Sequence, residues 1–225
     1  MTDDTGFLYP FLEAEERDVT GLLTDLADSA RGKAAESSAL QASSLTALAA
    51  DLKTVGQLMA RRFAAGGRLY TFGNGGSSTD AATLAGLFCA PPRGRPLPAW
   101  SLTDDQAVLT ALGNDVGFEL IFSRQIIAHS AASGSQDVAI AMSTSGSSAD
   151  LVRGLSEAHR RGLLTIGFAG YDGGELAASP AVDFCFTVAS QSVHRIQESQ
   201  AVLGYRLWQL TQAELARLSQ EVADA

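Results

Sequence analysis

Two stretches of this chain carry nearly the same phrase: Gly76-Ser77-Ser78-Thr79-Asp80 and Gly146-Ser147-Ser148-Ala149-Asp150. Each follows a short apolar run of strand character, residues 69–72 and 138–142, and each precedes a helical pattern. A strand, a Gly/Ser turn and a helix start, in that order and written twice, point to βαβ units and a parallel sheet. The same unit is an anion cradle, because backbone N–H groups point outward at a helix start and the dipole favours negative charge. Hydroxyls at Ser77, Ser143, Thr144, Ser145 and Ser148 add donors. Two such turns imply a phosphorylated ligand larger than a phosphate, held at both ends.

Ser77-x-x-Asp80 and Ser147-x-x-Asp150 also read as capping boxes. A cap explains Ser and Asp. It does not explain Gly73-Asn74-Gly75-Gly76 before one box or Ser143-Thr144-Ser145-Gly146 before the other. Neither turn is a Walker A loop, since no Gly-Lys-Ser/Thr follows, and Ser78 breaks the GxGxxG dinucleotide pattern.

The rest of the chain fits an α/β reading. Leu22, Leu23, Leu26 and Ala27, then Leu45, Leu48, Leu52, Val55, Leu58 and Met59, recur at helical spacing, so residues 7–65 read as helical. The polar stretch 33–38 reads as a break between two helices. Beyond Gly67, apolar runs at 69–72, 97–102, 138–142, 163–168 and 182–188 alternate with helical segments. A long final helix runs from Arg195 to about Ala223. Parallel sheets bind ligands at the carboxyl ends of their strands, where both Gly/Ser turns lie.

Charge and cysteines narrow the function. A net charge of -9 argues against a nucleic-acid face, which needs basic residues to displace counterions. It leaves a phosphate ligand open, because amides and hydroxyls bind phosphate without net charge. No apolar run approaches the about 20 residues that span a membrane, and the acidic start Met1-Thr2-Asp3-Asp4 is unlike a signal peptide. Cys89 and Cys185 have no zinc spacing and read as reduced thiols in the cytoplasm. His129 and His159 read as surface residues, whereas His194 heads the last helix and is the weak candidate for a catalytic role.

Smaller motifs complete the set: Gly113-Asn114-Asp115, Asp172-Gly173-Gly174-Glu175-Leu176-Ala177 and Arg195-Ile196-Gln197-Glu198. Together with GNGGS at 73–77 and STSGSS at 143–148, the chain resembles the sugar isomerase (SIS) domain, most closely the phosphoheptose isomerases, with the DnaA initiator-associating factor branch also similar. The resemblance implies a flavodoxin-like three-layer sandwich, a five-stranded parallel sheet between helices with N-terminal helices before it. It implies a homotetramer with sites between subunits. It divides the chain into an N-terminal tail and helix, residues 1–40, and the SIS domain with its long final helix, residues 41–225. Its phosphate loop falls on Ser143, Thr144, Ser145 and Ser148, and its sugar-contacting positions on Asn74, Ser77, Asp115 and Gln197.

The departures concern the chemistry. Phosphoheptose isomerases move a carbonyl through an enediol with a Glu and a His, and those residues, a second His and the Gln of RIQE can hold zinc. Here Thr83 and Leu87 stand at the second His and the Glu, and Tyr205 at the catalytic His. An enediol route needs a base and an acid in reach. Leu87 is neither, and a phenol with an ordinary pKa of about 10 is a poor base. The resemblance therefore implies a sugar-phosphate binder without the usual acid and base, with no metal and no cofactor. Two alternatives stay open: an isomerase with relocated chemistry, through His194 or more weakly Glu198 or Asp80, and a scaffold or hetero-oligomer subunit that binds another protein. The aromatic segment 5–12 either packs on a neighbouring copy or is a locally packed tail.

Overall fold

The computed structural model describes residues 19–130 and 136–223. The expectation for the aromatic segment 5–12 lies outside the described residues. Helices α1 (Val19–Ala47) and α2 (Ala49–Ala64) lead into strand β1 (Leu69–Gly73). Then follow α3 (Gly76–Cys89), β2 (Ala99–Ser101), α4 (Gln106–Asp115), a 3-10 turn at Phe118–Leu120 and α5 (Ile121–His129). The second half runs β3 (Val138–Met142), α6 (Ala149–Arg160), β4 (Leu164–Gly170), α7 (Gly174–Ala178), β5 (Phe184–Val188) and α8 (Val193–Ala223). Of the described residues, those from Leu40 onward form one compact unit and those before it belong to another.

The five strands form one parallel sheet in the order β2-β1-β3-β4-β5, the flavodoxin-like order. Strands β1, β3 and β4 are buried along their whole length, as strands covered on both faces must be. Side chains alternate between two cores with the period of two that a pleated strand imposes. On one face Leu69, Val138, Ile140, Met142, Ile166 and Phe168 pack with Met59 of α2, Phe88 of α3 and Leu207 and Trp208 of α8. On the other, Tyr70, Phe72, Ala139 and Ala141 pack with Phe122 and Ile126 of α5 and Leu151 and Leu155 of α6. The small alanines of β3 face the side where the tilted rings of Phe72 and Phe122 meet at 4.9 Å, so the layers interlock.

One local expectation is overturned. Residues 33–38 do not break the helix: α1 runs through them, and the interruption comes at Leu48. The stretch Lys33-Ala34-Ala35-Glu36-Ser37-Ser38 holds no Pro or Gly, and Ser38 returns its hydroxyl to the Ala34 carbonyl at 2.9 Å, a bond that a helical backbone accommodates. The described part of α1 that lies before Leu40 presents exposed Leu22, Leu23 and Leu26.

Candidate functional site

The strand order reverses between β1 and β3, and both Gly/Ser turns leave the carboxyl ends of those two strands. A doubly wound sheet opens a crevice at that point. The two turns are built differently. In the first, α3 begins at Gly76, directly behind Gly75 at φ 54°, so Ser77 and Ser78 already lie inside the helix. Ser78 bonds back to the Gly75 carbonyl at 2.8 Å. Ser77 is buried, and its hydroxyl has no hydrogen bond among the described residues. In the second, α6 begins only at Ala149, so residues 143–148 form a true loop. Its shape is held from within: the Gly146 N–H donates to Ser143 Oγ at 2.9 Å, and the Ser147 N–H to Ser145 Oγ at 3.3 Å. Gly146 sits at φ 71°, with the Gly173 carbonyl 2.2 Å from where a Cβ would be. The Ser145 and Ser148 N–H groups have no partner among the described residues and remain available to an anion.

Neither capping box forms. The α3 N-cap is Gly75, which has no side chain, the Ser148 side chain at the α6 N-cap makes no cap bond, and both Asp residues are engaged elsewhere. Asn74 donates Nδ2 to both oxygens of Asp150 at 3.1 and 2.9 Å. Gln197 donates Nε2 to Asp80 at 2.9 Å. Gln197 lies so close over Gly76 that a Cβ there would be 2.6 Å from its Nε2. A buried carboxylate such as Asp150, 4% exposed, requires donors, and a distant amide supplies them better than the cap geometry. These two bonds draw β1, α3, α6 and the start of α8 to one place.

Sequence reasoning missed one member. Gln200, fully buried and one turn after Gln197, donates Nε2 to the Ser143 carbonyl at 2.7 Å and so pins the base of the loop from α8. Its spacing of three from Gln197 on a helix was the available signal.

Other expected residues stay apart within one chain. Asp115 is exposed in the last turn of α4 and accepts from Asn114 at 2.7 Å. Helix α4 buries no residue and packs against α5 and the 3-10 turn. Asp115 is therefore not gathered with Asn74, Ser77, Gln197 and the loop. His194 is exposed in the first turn of α8 with no hydrogen bond among the described residues. His129 and His159 are exposed. The Cys185 thiol is pushed up by burial.

Leu87, Thr83 and Tyr205 stand where the resemblance places the acid, base and metal positions. Leu87 packs against the core of α2, α3 and α8. Thr83 returns its hydroxyl to the Thr79 carbonyl at 2.8 Å. The Tyr205 ring, 42% exposed, lies 5.2 Å from Trp208. Zinc takes three or four N, S or O ligands. A leucine, a self-bonded threonine, a tyrosine and a glutamine whose amide faces Asp80 do not fit it, and no cluster of three His, Cys, Asp or Glu occurs among the described residues.

A cavity of about 260 Å³ opens away from these turns, beside edge strand β2, between Arg68, Tyr70, Trp100, Gln125 and His129. Tyr70 closes its floor by donating its hydroxyl to the His129 carbonyl at 3.0 Å. Trp100 is half exposed on its wall.

A model of the SIS domain family matches residues 34–170, well over half of the chain. The chain belongs to the SIS domain family. Among its relatives, the phosphoheptose isomerase of Aquifex aeolicus is 45% identical over 151 residues, 65% of this chain and 75% of that protein. The phosphoheptose isomerase of Solidesulfovibrio magneticus is 37% identical over 177 residues, covering 78% and 84%. The solved phosphoheptose isomerase of Neisseria gonorrhoeae superposes with a TM-score of 0.76 at 30% identity, over 84% of this chain and 99% of that one. This SIS protein therefore falls with the phosphoheptose isomerases, and its five-stranded parallel sheet is theirs. No helix among its described residues is long and apolar enough to cross a membrane.

Proposed function

We propose that this SIS protein binds a phosphorylated sugar at residues 143–148 and holds the sugar's hydroxyls with Asn74, Ser77 and Gln197, without the usual enediol chemistry of its relatives. One observation carries the reading. The amides and hydroxyls of the proposed binding positions converge at the strand ends, while partly buried Leu87 packs against the core and the Tyr205 ring tilts beside Trp208. Binding needs donors and acceptors; proton transfer from carbon needs a base within about 3 Å. The donors and acceptors at the turns support the first, and Leu87 and Tyr205 speak against the usual route to the second.

On this reading the protein is a cytoplasmic homotetramer in which Asp115 joins the site of a neighbouring copy. Exposed Trp100, Val116 and Phe118 flank α4 and give such a contact its apolar surface. Regulation through a protein partner is the role such a binder would serve.

The test is proton NMR with sedoheptulose 7-phosphate in D2O, with and without added zinc. Expected is ligand broadening without deuterium uptake next to the carbonyl. Deuterium uptake or product would overturn the loss of chemistry, and His194→Ala would then show whether that side chain is the relocated base.

A further inference from the structure

The two helix starts that share a phrase offer a ligand opposite chemistry. At the second turn, loop hydroxyls and the unpaired N–H groups of Ser145 and Ser148 face an incoming anion. At the first turn, the Gln197 amide lies over Gly76 and covers the start of α3. The direction of that amide follows from its partner. An ionised carboxylate only accepts hydrogen bonds, so the amide nitrogen must face Asp80. The same rule turns Nδ2 of Asn74 to Asp150. Rotating either amide would set oxygen against oxygen, and rotating Asn74 would leave Asp150 buried without its donor. What remains for a ligand is Oδ1 of Asn74 and Oε1 of Gln197, two carbonyl acceptors with no hydrogen bond among the described residues. Each is backed by a carboxylate.

Resting on the phosphosugar reading, we infer that Asp80 and Asp150 are positioning residues that make the site selective for a sugar with a single anionic group. Acceptors backed by negative charge welcome hydroxyl donors and repel a second phosphate. The phosphate sits at residues 143–148, and the polyol end meets Asn74 and Gln197. Ser77, whose hydroxyl can donate or accept, serves a hydroxyl equally well.

The experiment is calorimetric titration of the purified full chain with sedoheptulose 7-phosphate and with sedoheptulose 1,7-bisphosphate. The monophosphate is expected to bind about tenfold more tightly or better, the order of one charge-assisted hydrogen bond. Asp80→Asn frees the Gln197 amide to rotate and should narrow that ratio, chiefly by tightening the bisphosphate. Equal or tighter bisphosphate binding by the wild type, or a ratio unmoved by Asp80→Asn, overturns the inference. Nitrogen-edited spectra of the side-chain NH2 groups read the orientation without ligand. Asp80→Asn should move the Gln197 pair alone and Asp150→Asn the Asn74 pair alone. Unmoved pairs sink this inference whatever binds. Pairs that respond as expected while neither sugar binds sink the phosphosugar reading and leave the amide orientation standing.

Discussion

The turn after β1 and the turn after β3 share Gly-Ser-Ser-x-Asp, yet three residues of register separate them. Helix α3 starts on the glycine of the phrase, whereas α6 starts on the residue after the second serine. In one turn the serines are helical residues, and in the other they are loop residues with hydroxyls and amides open. Local wording thus names the kind of turn but not its register. Register comes from what each helix must meet. A Cβ at Gly73 would lie 2.5 Å from the Ser77 carbonyl, so α3 begins tight against β1. The loop at 143–148 is held away from its helix by Gly170, whose N–H donates to the Thr144 carbonyl at 3.0 Å, and by Gln200.

The sharpest way to break this comparison is to add the same methyl to both turns. Gly146→Ala meets both a positive φ of 71° and the Gly173 carbonyl. Gly75→Ala, at φ 54°, has nothing within 4 Å of its new Cβ. Holding an L residue at positive φ costs about 1–3 kcal/mol by itself, and at Gly146 the clash comes on top of it. Urea unfolding should therefore show Gly75→Ala down by about that amount and Gly146→Ala by clearly more. Equal losses would mean that the second turn is not the tighter of the two.

Smaller in effect is the removal of one hydroxyl from each turn. Ser143→Ala strips the acceptor from the buried Gly146 N–H and should cost about 1–3 kcal/mol, since a buried donor is left unmet. Ser77→Ala removes a hydroxyl with no partner among the described residues and should leave the thermal midpoint within about 2 °C while weakening sugar phosphate binding. A stability loss in Ser77→Ala as large as in Ser143→Ala would remove the distinction between a hydroxyl that shapes a loop and one that awaits a ligand.

The smallest effect separates the far ends of the two helices. Near the end of α6, Glu157 accepts from Arg160 at 2.9 and 2.6 Å and from Arg161 at 2.6 Å, whereas α3 has no basic residue in its last turn. The hydrogen bonds from Arg160, then from Arg161, hold the Glu157 carboxyl below the usual range against partial burial. A depressed folded pKa contributes stability above the unfolded value of about 4.3 and loses it as pH falls through the folded value. Glu157→Gln should lower the urea midpoint at pH 6 by an amount worth under about 1 kcal/mol, and the gap should close on acidification towards pH 3. A gap that widens in acid would reverse the sign assigned here.

The sheet was legible in the sequence because buried parallel strands leave continuous apolar runs, and all five runs became strands. The loop at residues 143–148 was legible as a turn before a helix because glycine and serine cluster there ahead of the helical pattern. The roles of Asp80 and Asp150 were not. Their partners lie 117 and 76 residues away, so a local pattern assigned them to the nearest helix start. The break expected at 33–38 is absent for a related reason: polarity alone does not stop a helix, and Lys, Ala, Glu and Ser at those positions carry nothing that forbids one.

The two tryptophans sit at opposite ends of the solvent scale. Trp208 is 1% exposed between α8 and the sheet, and Trp100 is 50% exposed on the wall of the β2 cavity. Their emission should therefore come as two bands, a blue one shielded from acrylamide and a red one open to it. The chain carries two built-in lamps: one dims only when α8 leaves the core, and the other flickers with whatever touches the sheet's edge.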